Sequence, residues 1–68
     1  MNFIIETEKE DDGRLICEIL EIPCAMAYGK TGNEAVAKTQ SLALRILADR
    51  IEHGENVPGM DAFFSVAA

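Results

Sequence analysis

Phe3-Ile4-Ile5-Glu6-Thr7-Glu8-Lys9-Glu10-Asp11-Asp12-Gly13-Arg14-Leu15-Ile16-Cys17-Glu18-Ile19-Leu20 is the stretch whose reading decides the fold. Two segments of alternating character flank an Asp-Gly pair. Glycine accepts the positive φ that a tight turn needs, so Asp12-Gly13 in this setting marks a β-hairpin. Residues 3–8 read as the outgoing strand, with Phe3, Ile5 and Thr7 on one face and Ile4, Glu6 and Glu8 on the other. Residues 14–20 return, with Leu15, Cys17 and Ile19 on one face and Ile16, Glu18 and Leu20 on the other.

Outward from the hairpin, Glu21-Ile22-Pro23-Cys24 interrupts the pairing, because Pro23 has no N–H to give to a ladder. Residues 25–28 suit a short third strand that ends at Gly29. Thr31-Gly32-Asn33-Glu34 reads as a capping box, which predicts a helix from about 32 to about 53. Gly54 is a natural residue to follow the helix, and Arg50 and His53 lie near its negative end. At 100° per residue, Ala35, Thr39, Leu42, Ala43, Ile46 and Leu47 form one stripe. Glu34, Lys38, Ser41, Arg45, Asp49 and Glu52 form the polar stripe. A second apolar group, Ala37, Leu44, Ala48 and Ile51, falls roughly opposite the first. Either these are tolerated exposed side chains, or Leu44 and Ile51 meet another subunit.

Residues 55–59 form a loop, and 60–67 suit a last strand. The expected order is β-β-β-α-β, an α+β fold in which one helix covers one sheet face.

A chain of 68 residues makes one domain, 1–68, with a thin core. The apolar share of 49% is too high for disorder driven by low hydrophobicity, and without Trp the core is mostly aliphatic. Twelve acids against six bases leave a net charge of −6. That balance argues against direct nucleic-acid binding, which needs clustered Lys and Arg, and suits a basic protein partner. No apolar run is long enough to span a membrane. The N-terminus lacks the basic region of a secretory signal, so a cytoplasmic chain with reduced thiols is expected. Cys17, Cys24 and His53 are too few for a four-ligand zinc site, and no cofactor is expected.

Gly29-Lys30-Thr31 imitates the end of a P-loop, but the Gly required five residues earlier is Cys24. A strand-ending glycine, a solvated lysine and an N-cap threonine account for the same residues. The acids Glu6, Glu8, Asp11, Asp12, Glu18 and Glu21 crowd the hairpin. Without carboxylates converging from other elements they make an acidic face, not a metal centre. Cys17 falls on the inward face as an inert thiol. Cys24, at a bend, has no base near it in sequence, and His53 suits a capping role. No catalytic residue is expected.

The opening Met1-Asn2-Phe3-Ile4-Ile5-Glu6, the Glu10-Asp11-Asp12-Gly13 turn and Glu21-Ile22-Pro23 resemble the HicB-like antitoxin family. So do Tyr28-Gly29-Lys30-Thr31, the helix opening Asn33-Glu34-Ala35, and the helix end Leu47-Ala48-Asp49-Arg50-Ile51-Glu52-His53-Gly54. The resemblance covers nearly the whole chain and carries no catalytic signature. It implies a partial RNase H-like sheet of order 3-2-1-4, with the last strand parallel to the first. It also implies a non-enzymatic interaction module that masks a small basic HicA-like toxin. No appended DNA-binding domain is expected. The family pattern usually has Pro-Gly after the second strand, where this chain has Pro23-Cys24, and Leu20 stands where a proline is common. The rival reading is a self-assembling domain with a regulatory or ligand-binding role. Surplus apolar residues on both faces predict a homodimer or tetramer, with Leu44 and Ile51 as candidate contacts.

Overall fold

The computed structural model describes residues 3–57, 59 and 63–67. Three strands, β1 (Glu6–Lys9), β2 (Leu15–Glu18) and β3 (Met26–Gly29), precede one helix, α1 (Gly32–Glu52). The sheet is antiparallel, in the order β1-β2-β3. The expected α+β architecture, a three-stranded antiparallel sheet with one helix, is therefore present.

The hairpin turn is closed from both sides. The Glu10 N–H donates to the Arg14 carbonyl at 2.8 Å, and the Gly13 N–H to the Glu10 carbonyl at 3.0 Å. Gly13 takes φ 88°, a left-handed value that glycine reaches without a Cβ clash. The Asp12 carboxylate accepts from the Arg14 backbone N–H at 3.0 Å and from Arg14 Nε at 2.7 Å.

Both hairpin strands are shorter than the alternation predicts, 6–9 instead of 3–8 and 15–18 instead of 14–20. The cause lies in the bend after β2. There the Ile19 carbonyl accepts from the Ile22 N–H at 3.1 Å, which turns the chain and leaves residues 3–5 without ladder partners. Phe3 and Ile5 still pack on the core as half-buried side chains. The bend closes with a second turn, in which the Ala25 N–H donates to the Ile22 carbonyl at 3.1 Å. Proline stands second in that turn, and Cys24, third, has φ 71°; this is the pattern of a type II turn.

Thr31 caps the helix, its Oγ1 accepting from the Glu34 N–H at 3.1 Å. The reciprocal half of the capping box is replaced by an ion pair, with Lys38 Nζ 3.0 Å from Glu34 Oε1. At the other end the Gly54 N–H bonds the Ile51 carbonyl and the Glu55 N–H bonds the Arg50 carbonyl. With Gly54 at φ 79°, this is a Schellman closure.

Gly29 explains how the helix comes so close to the sheet. A Cβ there would lie 2.5 Å from the Ala35 backbone nitrogen, so only glycine lets β3 meet the first helical turn. The helix rests on β3 and β2. Its buried residues are Ala35, Thr39, Ala43 and Leu47. The core gathers Ile19, Ile22, Ala25, Ala43, Leu47 and Val57, flanked by Phe3, Ile5 and Ile46.

Of the expected last strand, residues 60–62 lie outside the described residues, and 63–67 form no strand. Those five residues are exposed, Val66 at 97%. The radius of gyration is 14.1 Å, against about 11 Å for a compact chain of this length. The longest dimension, 53 Å, exceeds the roughly 30 Å of the helix.

Candidate interaction surfaces

Register decides what each sheet face carries. Glu6 stands opposite Glu18, and Glu18 opposite Met26; Glu8 stands opposite Ile16, and Ile16 opposite Tyr28. These residues share the face turned away from the helix. Glu6, Glu8 and Glu18 therefore surround half-buried Ile16 in a shallow depression of about 510 Å³, to which Thr7 also contributes. Exposed Met26 and Tyr28 continue the face, and the Arg14 guanidinium lies 4.5 Å above the Tyr28 ring. Arg14 is already paired with Asp12. The result is an apolar strip flanked by three carboxylates, chemically suited to a basic, partly apolar surface.

The other surface lies beside β1 on the helix side. Because the helix rests on β2 and β3, β1 stays exposed along its whole length and forms one edge of the sheet. Between it and the helix runs a groove of about 320 Å³. Phe3, Ile5 and Ile19 form one wall and Ala43, Leu44 and Leu47 the other; Gln40 is its one polar side chain. Leu44 is 68% exposed there. Ile51, 46% exposed, does not line the groove, so the two candidate contacts sit in different surroundings.

The remaining sequence candidates are dispersed. Cys17 is buried, with its Sγ 3.3 Å from Thr7 Oγ1, while Cys24 is exposed at the bend; both are free thiols. His53 Nδ1 lies 2.8 Å from the Asp49 carbonyl oxygen, as a helix-end group does. Gly29-Lys30-Thr31 serves the close packing and the cap described above. Among the described residues, no three His, Cys, Asp or Glu side chains converge on a point where a metal could bind. The Lys38 ammonium bonded to Glu34 holds that carboxyl below its ordinary value. The Arg14 backbone N–H does the same for Asp12, reinforced by the Arg14 side chain. Both are exposed structural pairs, without the buried desolvated partner that marks a reactive group.

The alternation alone places Glu6, Glu8 and Glu18 on one face. It does not show the groove, which arises from the off-centre helix. The signal for that offset is Gly29, whose lack of a side chain draws the helix toward β3.

Compared with protein-family models, curated proteins and solved structures, the chain matches none. Among the described residues, no helix is long and apolar enough to cross a membrane.

Proposed function

We propose that the chain is a non-enzymatic protein-interaction module of the kind that the HicB-like resemblance implies. In this reading its acidic outer sheet face neutralises a small basic protein, a HicA-like toxin, in the cytoplasm. The observation that carries the reading is the register itself. It sets Glu6, Glu8 and Glu18 around Ile16 on a face that the helix does not cover, in a chain of net charge −6. A basic partner is drawn to such a face by its field, and Ile16, Met26 and Tyr28 supply apolar contact once it arrives.

The test is titration of the chain with the small basic protein encoded beside it in its native genome. Saturable binding that weakens as salt rises, and is lost in the Glu8→Lys/Glu18→Lys double variant, supports the reading. Absence of such a gene, or binding that ignores the double variant, sinks it.

A further inference from the structure

We propose that residues 63–67 of one copy lie along β1 of a second copy, with Phe64 and Val66, which share one face of an extended strand, seated in the groove between β1 and the helix. This surface is distinct from the acidic face assigned above to a basic partner, and the two proposals stand or fall separately.

Four observations converge on this occupant. First, the tail is apolar and unused, with Phe63 60% exposed, Phe64 70% and Val66 97%. Second, the groove is apolar, holds no ionisable side chain, and is lined by no residue beyond Leu47 among those described. Third, β1 is an edge strand, and among the described residues the backbone groups on its outer side have no ladder partner and suit strand addition. Fourth, charge selects the added strand. A β1–β1 pairing would set Glu6 and Glu8 of one copy beside the same carboxylates of the other. Phe63-Phe64-Ser65-Val66-Ala67 brings no side-chain charge to an edge that is already acidic.

Size agrees with this assignment. A phenylalanine offers roughly 150–250 Å², so the free parts of Phe64 and Val66 come to on the order of 300 Å² per tail. Two tails and the two surfaces they cover then bury roughly 1,200 Å², the lower bound of the range for specific, stable interfaces. Mutual exchange also closes under two-fold symmetry, so association stops at a dimer.

The experiment uses the full chain. Light scattering at micromolar concentration should give twice the 7.4 kDa chain mass. Phe64→Asp and Leu44→Glu should each shift the mass to that of one chain with the helical signal retained. Ile51→Glu and Arg45→Glu, outside the groove, should leave the dimer intact. A disulfide trap then names the donor of the tail. In a Cys24→Ser background, Leu44→Cys protein mixed with Phe64→Cys protein should form a cross-linked pair under mild oxidation. Leu44→Cys and Phe64→Cys placed together in one chain should close between chains. A wild-type monomer, a dimer indifferent to Phe64→Asp, or closure of the double-cysteine variant within one chain each overturns the proposal. The last outcome would show the tail covering its own groove.

Discussion

Thr39 Oγ1 lies 3.2 Å from the Cys17 carbonyl oxygen, joining the middle of the helix to the middle of the central strand. The same hydroxyl donates to the Ala35 carbonyl one turn back, at 2.8 Å. Thr39 is fully buried, the one polar side chain in that state among the described residues. Its single hydrogen is shared between the two carbonyls, so the helix and the central strand meet at a satisfied polar contact inside the core.

Thr39→Val keeps the shape and the β-branching and removes only the donor. It should cost about 1 kcal/mol, the net worth of a buried neutral hydrogen bond. Urea unfolding measures it. An unchanged midpoint would mean that the hydroxyl bonds contribute nothing beyond packing.

Substitutions along Gly29-Lys30-Thr31 separate architecture from nucleotide binding. Gly29→Ala drives a methyl to within 2.5 Å of the Ala35 nitrogen and should cost about 2–3 kcal/mol, as overpacking does. Thr31→Ala removes the helix cap and should cost about 1 kcal/mol. Lys30 is exposed, so Lys30→Ala should change stability by under about 0.5 kcal/mol. ATP should not raise the melting temperature. The reverse ranking, with Lys30 the sensitive position, would restore the phosphate-loop reading.

Much of this fold was legible because local signals agreed. Asp12-Gly13 marked the hairpin, alternation assigned the faces, and Thr31 and Gly54 bounded the helix to within a residue. The strand ends were not legible, since ladder length depends on where the chain bends after β2, at the Ile19–Ile22 turn that no periodicity encodes. Residues 63–67 have strand-like composition, yet form no strand, because composition does not bring a segment to the free edge of β1. Leu44 and Ile51 looked equivalent on a helical projection. The off-centre helix sets Leu44 on a groove and leaves Ile51 outside it.

Acid should weaken the Glu34–Lys38 contact. The pair depresses the Glu34 carboxyl below its ordinary 4.5, so its contribution is present above that value. The contribution is lost as pH falls through the lower folded value. Both groups are exposed, so the effect is small and fades with salt. The check is the stability difference between wild type and Lys38→Met at low salt, followed from about pH 6 to about pH 3. The difference should shrink on acidification; a constant or growing difference would show that the pair does not act through the Glu34 charge.

Cys24 occupies a backbone conformation that its side chain opposes. At φ 71°, third in the Ile22-Pro23-Cys24-Ala25 turn, it holds the position that type II turns reserve for glycine. An L-residue there costs roughly 1–2 kcal/mol relative to glycine. Glycine costs about 0.4–1 kcal/mol more in unfolded-chain entropy. The balance favours Cys24→Gly by about 0.5–1 kcal/mol, and the side chain is exposed, so little packing is lost. Cys24→Ala serves as the control, since it removes the thiol and keeps the Cβ strain; its urea midpoint should stay near wild type. Cys24→Val should fall below both, because a β-branched residue tolerates left-handed φ poorly. If Cys24→Gly destabilises, or if Cys24→Ala stabilises equally, backbone strain at this bend is not what the substitution relieves. The expected ranking is Gly above Cys and Ala, with Val last, and it would tie the turn's stability to the glycine preference of a type II turn's third position.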